Sequence, residues 1–199
     1  MPQAGADRDL WIFAYGSLMW RPDFAYAERR RARVYGFHRA LCIYSHHWRG
    51  TAERPGLVLG LDRGGSCVGL CFRIAREASA ATLAAVRERE LVTGVYEEIA
   101  APVRLEHGER LMALTYVARR GHAQYAGGLP AAEQARLVRQ GRGIAGSNLD
   151  YIRNTCRHLE DLGIRDARLG GLTAAVTSPV AGSGEAEQRP AGIGEDIEH

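Results

Sequence analysis

The chain contains no lysine; all 26 of its basic residues are arginine. Planar guanidinium groups suit phosphate and nucleic acid, so this absence first raises a nucleic-acid partner. The charge pattern argues against one. Acidic residues are interspersed among the arginines, and the formal charge is only +3 although the pI is near 8.8. The only dense run, Arg29-Arg30-Arg31 with Arg33, adjoins Glu28. A single-strand binder carries a wider basic stripe with aromatics between the charges. The arginine usage is read as a codon bias, and no nucleic-acid partner is expected.

Other absences narrow the class further. No apolar run approaches the roughly 20 residues of a membrane span, and the stretch 1–9 lacks the layout of a secretory leader. Four cysteines, Cys42, Cys67, Cys71 and Cys156, show no Cys-x-x-Cys spacing. Reduced thiols in a cytoplasmic protein are expected, with neither zinc nor disulfides. His46-His47 would point to opposite faces of a strand, and the other histidines lack ligand spacing, so no metal is expected. No Gly-x-Ser-x-Gly occurs, and Ser17 has no assignable histidine partner.

What is present supports one well-cored domain, since 46% of the 199 residues are hydrophobic. Residues 1–177 are expected to form it. From Ser178 onward Gly, Ser, Glu and Pro dominate, which predicts a disordered tail over 178–199. Strands are predicted over 11–15, 34–44, 57–61 and 68–74, with Gly64-Gly65 as a hairpin turn between the last two. A helix over 79–91 follows, then strands over 99–105 and 111–118 joined by His107-Gly108. The remainder is helical: one helix opens at Pro130 and ends by Gly141. The next is capped by Ser147-Asn148-Leu149-Asp150 and closed by Gly163. This order lacks repeated βαβ units. It predicts an α+β fold, a mixed or antiparallel sheet curled into a small barrel with flanking helices.

Gly141-Arg142-Gly143-Ile144-Ala145-Gly146 matches Gly-x-Gly-x-x-Gly, but a helix precedes it where a dinucleotide site needs a strand. A glycine loop leading to a helix N-terminus remains, which favours either an anion or simple loop geometry. A second feature is Ala14-Tyr15-Gly16-Ser17-Leu18-Met19-Trp20, where an apolar strand stops abruptly. Glycine permits an unusual turn or a close ligand approach, so this is either a plain strand end or an anion cradle. A third lies in the helix before Gly94. With Leu83 at zero and about 100° per residue, Val86 falls near 300°, Glu90 near 340° and Glu88 near 140°. Glu90 therefore extends the apolar face while Glu88 points to water. An inward carboxylate must be paired, protonated or working. A buried salt bridge to an arginine such as Arg39 is the structural alternative.

These residues resemble the ChaC-type γ-glutamylcyclotransferases. Tyr15-Gly16-Ser17-Leu18-Met19-Trp20 is similar to the family's YGSL-x-W signature. Arg89-Glu90-Leu91-Val92-Thr93-Gly94-Val95-Tyr96 is similar to its Arg-Glu-x-x-x-Gly-x-Tyr segment. Gly36-Phe37-His38-Arg39-Ala40 and Arg49-Gly50-Thr51 are similar to the strand and loop between these two, and Gly146-Ser147-Asn148-Leu149-Asp150-Tyr151 to the late helix start, so the likeness spans about residues 10–176 in order.

The resemblance implies a barrel with flanking helices and conversion of glutathione to 5-oxoproline and cysteinylglycine without a cofactor. It implies Glu90 as the catalytic residue, Tyr15, Gly16, Ser17 and Leu18 as the substrate loop, and Tyr151 as a substrate contact. Other γ-glutamyl amines or amino acids are the alternative substrates. A non-catalytic anion- or nucleic-acid-binding domain is the alternative class. Oligomeric state is not legible.

Overall fold

The computed structural model describes residues 9–177, so the tail expected over 178–199 lies outside the described residues. Five strands form a closed barrel: β1 (Leu10–Ala14), β2 (Glu28–Ser45), β3 (Gly56–Ile74), β4 (Tyr96–Leu105) and β5 (Arg110–Ala118). Their order is β1-β3-β2-β4-β5. All neighbours are antiparallel except at the closure, where β5 runs parallel to β1 and β3 at Ile12↔Leu114 and Leu61↔Val117. Closure leaves few unpaired edges to be managed. The helices are α1 (Arg76–Glu90), α2 (Ala131–Gln140), α3 (Asn148–Asp161) and α4 (Ala167–Thr177); a two-stranded ribbon, β6 (Arg142–Gly143) with β7 (Gly146–Ser147), precedes α3. The α+β barrel read from the sequence is the observed architecture.

Strand alternation builds two cores. Phe13, Val34, Leu61, Cys67, Cys71, Val103 and Val117 fill the barrel interior. Their neighbours Ile12, Leu70 and Phe72 face outward, where Val86, Val138, Ile152 and Leu159 of the helices cover them. Cys67 and Cys71 thus pack inside the barrel as free thiols. The basic run begins β2 earlier than expected. Arg29, Arg31 and Arg33 are exposed while Ala32 and Val34 are buried. Arg30 lies 2.8 Å from Glu109 and 3.4 Å from Glu28.

One expectation fails. Gly64-Gly65 is not a hairpin turn, because β3 continues unbroken from Gly56 to Ile74. Both glycines have positive φ, 99° and 73°, opposite Gly36 at 83°. The pairing steps from Tyr35↔Ser66 to Phe37↔Arg63, so two residues of β3 face one of β2. This is a bulge that bends the sheet. Left-handed glycines serve a bulge and a turn equally well, and the 18-residue β2 pairing on both sides makes it a bulge.

Side chains finish what strands leave unpaired. β1 pairs only with residues 70–74 of β3, so the β3 edge near Leu57 and Leu59 needs other partners. Asn148, fully buried, accepts from Leu57 N at 2.6 Å and donates to Leu57 O at 2.7 Å. It sits behind the Ser147 cap, whose Oγ accepts from Asp150 N at 3.0 Å. At the other end of α3, Gly163 (φ 65°) donates to Glu160 O and Ile164 donates to Leu159 O, both at 2.8 Å. This is a Schellman closure.

Arg39, its side chain 3% exposed, joins three elements. Its Nε donates to Tyr15 O at 2.6 Å, one terminal nitrogen to Val68 O at 2.8 Å, and the other to Asp166 at 2.8 Å. Asp166 in turn accepts from Leu169 N at 3.1 Å in α4. Losing one partner of a buried pair costs roughly 3–5 kcal/mol. Arg39→Met should lower unfolding stability by about that amount in urea titration. A midpoint near the wild-type value would show that the pair contributes nothing.

Candidate active site

The site starts where β1 ends. A short 3₁₀ turn, Ser17–Met19, closes through Met19 N to Gly16 O at 2.9 Å and Arg21 N to Ser17 O at 2.8 Å. The first amides of such a turn have no partner inside it. Those of Ser17 and Leu18 are therefore left to bind something else. Leu18 itself sends its side chain into the core beside Met19, so only its backbone can serve a ligand. Gly16 has φ −131°, outside the left-handed region, and a Cβ there would meet only Leu59 Cδ1 at 3.9 Å. Of the two reasons for a glycine here, close approach from outside is the one the geometry leaves.

Glu90 is the last residue of α1. Its side chain is 17% exposed, whereas Glu88 is exposed and Val86 buried, as the helical wheel requires. Arg39 is not its partner, being held by Asp166. The cation beside Glu90 is its chain neighbour Arg89, with Nε 3.4 Å from Oε1. Burial pushes the Glu90 carboxyl above its ordinary range, and Arg89 pulls it partly back.

Three buried tyrosines feel the charge of this carboxyl. The phenols of Tyr15, Tyr96 and Tyr151 are all raised, first by burial and further by the Glu90 charge, Tyr151 to about 12. All three stay protonated at neutral pH. Tyr96 donates to Leu59 O at 2.7 Å, and Leu59 N donates to the Tyr151 oxygen at 3.3 Å. Tyr151 thus keeps its own hydroxyl hydrogen for another acceptor. The charge of Glu90 acts on both Tyr15 and Tyr151, and Ser17 is linked to the end of α1 through Arg89. Tyr96 and Arg89 were not assigned roles from the sequence, although both lie in the segment around Glu90.

The glycine loop has a structural role. Ile144 N and Ala145 N donate to His47 O and Trp48 O at 3.0 and 3.1 Å. A Cβ on Gly143 would stand 2.2 Å from His47 O. Arg49 donates to Ala145 O and places its guanidinium 5.2 Å from the Tyr151 ring centre. At the start of α3, Ser147 Oγ accepts from Asp150 N at 3.0 Å and donates to the Asp150 carboxylate at 2.7 Å, so the chain's own side chains form the cap. His46 and His47 lie in exposed bends just past β2 rather than within a strand. Among the described residues no three His, Cys, Asp or Glu side chains converge as metal ligands.

A separate cavity of about 700 Å³ lies between β2 and helices α2 and α4. Its buried charges are already paired, Arg39 with Asp166 and Asp62 with Arg120. None of the turn residues or Glu90 lines it.

A five-strand closed barrel with flanking helices of this order is the γ-glutamylcyclotransferase fold. It superposes on a crystal structure of a yeast γ-glutamylcyclotransferase specific to glutathione with a TM-score of 0.78, over 85% of this chain and 96% of that chain, at 20% identity. The model of the ChaC-like protein family matches residues 10–179, and the chain belongs to that family. It is 32% identical over 172 residues to the glutathione-specific γ-glutamylcyclotransferase of Escherichia coli K12, covering 86% of this chain and 74% of that protein. It is 33% identical over 178 residues to human glutathione-specific γ-glutamylcyclotransferase 1, covering 86% and 80%.

The raised Glu90 carboxyl has a signed consequence for stability. The folded state keeps this proton to higher pH than the unfolded chain, so stability falls as pH rises from 4.5 through the raised value. Above the raised value the wild type carries a buried charge that Glu90→Gln lacks. Glu90→Gln should therefore melt no lower than wild type at pH 7, with any advantage vanishing near pH 4 in melting curves. A buried ion pair would instead make it roughly 3–5 kcal/mol less stable at pH 7.

Proposed function

We propose that this chain cleaves glutathione to 5-oxoproline and cysteinylglycine, with Glu90 as its proton shuttle. The observation that carries the reading is a half-sequestered carboxyl, without a compensating buried cation, beside a turn whose first amides are unspent. At neutral pH the substrate's α-amine is an ammonium and cannot attack. Glu90 takes one proton from it. The freed amine attacks the γ-carbonyl within the same molecule and closes a five-membered lactam. The γ-carbonyl carbon becomes tetrahedral and its oxygen gains negative charge. As the C–N bond to cysteine breaks, Glu90 gives that proton to the departing nitrogen and takes the second proton from the ring nitrogen, which leaves a neutral lactam. Loss of this proton to water restores the carboxylate.

The remaining groups bind and orient. The amides of Ser17 and Leu18 hold the substrate's negative charge, its α-carboxylate or the developing oxyanion. Gly16 lets the substrate approach the backbone. Tyr15 and Tyr151, protonated throughout, supply a wall and a hydroxyl donor beside the carboxyl. Because nucleophile and electrophile share one molecule, folding the substrate and moving protons between its two nitrogens and water suffice, and no cofactor is required. All these groups come from one barrel and its helices, which supports reading residues 1–177 as one domain. The four free thiols suit a reducing compartment, and we place the protein in the cytoplasm. No helix among the described residues is long and apolar enough to cross a membrane.

Incubation with glutathione should yield 5-oxoproline and cysteinylglycine in equal amounts, and a panel of other γ-glutamyl compounds run alongside identifies the preferred substrate. Glu90→Gln should reduce turnover by roughly 10²–10⁴-fold while Glu88→Gln stays near wild type. Full activity in Glu90→Gln would remove it from the chemistry. Gly16→Val should keep the fold, because its Cβ meets no close atom, yet lose substrate binding. Near-normal kinetics in that variant would make the turn purely structural.

A further inference from the structure

The Arg89 side chain touches both halves of the site. One terminal nitrogen donates to Ser17 Oγ at 2.8 Å. The other donates to Arg21 O at 3.0 Å and to Asp23 Oδ2 at 2.8 Å. Its Nε lies 3.4 Å from Glu90 Oε1. A single planar fork therefore connects the residue beside the base to three points along the segment that follows the glycine.

Stability does not account for this arrangement. The Arg89–Asp23 pair is 32% and 63% exposed, and exposed pairs contribute only about 0–1 kcal/mol. The segment also carries backbone strain. Asp23, with φ 56°, is the only non-glycine among the described residues with positive φ. Aspartate tolerates that region better than most residues, but it is still unfavourable. Here it delivers the carboxylate to Arg89. Other contacts fix the same segment at either side: Trp20 stacks on His158 of α3 at 4.6 Å, and Phe24 meets Phe72 of β3 edge-on at 5.6 Å. Arg89 is what fastens it to α1.

We propose that Arg89 is a positioning residue that locks the Ser17 turn onto the end of α1, so that the amides binding the substrate and the carboxyl moving the proton keep one relative geometry. The proposal rests on the reaction assigned to Glu90. Geometry of this kind is worth much to an intramolecular reaction, where a displacement of about 1 Å can cost a hundredfold in rate. Arg89 also contributes a positive charge beside Glu90. The other groups near that carboxyl are the phenols of Tyr15, Tyr96, Tyr116 and Tyr151, on the turn, β4, β5 and α3. All of them are raised and do not titrate in the acid limb. Lysine would keep the charge but not the fork, so charge and geometry can be separated.

The test compares Arg89→Met and Arg89→Lys with wild type in two independent readouts. In kinetics with glutathione, Arg89→Met should lose roughly ten- to a hundredfold in kcat, with its acid limb displaced to higher pH. Arg89→Lys should restore the limb but not kcat. In amide hydrogen exchange, Arg89→Met should lose about tenfold protection at Met19, Trp20 and Arg21 while the barrel strands keep theirs. Unchanged protection at those three amides overturns the proposal whether or not glutathione is the substrate. Wild-type kcat in Arg89→Met overturns it as well. A loss of kcat matched by an equal loss of folded protein would reduce Arg89 to a structural contact. Failure of the reaction assignment is seen separately, in a wild-type enzyme that leaves glutathione intact or a Glu90→Gln variant that still turns it over.

Discussion

The buried guanidinium of Arg39 is the joint on which the rest of the structure depends. It takes the last carbonyl before the glycine turn, a carbonyl of β3 and the carboxylate that opens α4. A charge this deep is tolerable only when each donor is satisfied and the counter-charge is close. Meeting those conditions fixes where β1 must stop relative to β3 and where α4 must begin. The glycine turn therefore inherits its position from a group buried in the core. Because Asp166 neutralises Arg39, no buried arginine among the described residues is left to neutralise Glu90.

That division of charge explains why one buried carboxylate is structural and another is available for chemistry. Asp166 meets a buried guanidinium and caps a helix. Glu90, at the end of α1, meets a partly exposed arginine at 3.4 Å, and its charge acts on buried tyrosines that cannot ionise near neutrality. Burial without full compensation lifts a carboxyl toward the range where it can take and return protons. The same tyrosines are also structural. Tyr96 and Tyr151 satisfy both backbone groups of Leu59, where β1 is too short to pair. The gap in the sheet and the wall of the site are thus one feature.

The glycines divide by the same logic. Gly143 and the loop around it allow backbones to touch, and Gly64 and Gly65 allow a long strand to bend. At Gly16 no atom of the protein crowds the missing side chain. A sequence shows the three as the same letter. Only the neighbouring atoms distinguish a glycine kept for packing from one that leaves room for a ligand.

Local physics was legible directly. Helical periodicity separated Glu90 from Glu88, the Ser147-to-Asp150 spacing announced a cap, Gly163 announced a helix end, and strand clustering without βαβ repeats announced the barrel. Each depends on residues a few positions apart, whose relation is dictated by backbone geometry. The residues proposed for catalysis and for the substrate loop, taken as a set, and Tyr151 in particular, came from resemblance to a family rather than from periodicity. What the chain could not display is whatever joins distant positions. Arg39 and Asp166 lie 127 residues apart, Leu57 and Asn148 lie 91 apart, and Arg89 meets Ser17 across 72. The Gly64-Gly65 bulge belongs here too, since the long partner strand makes it a bend rather than a turn. Partners of this kind are selected by barrel closure and by the need to satisfy every buried polar group at once. Those constraints exist only when the whole chain is folded.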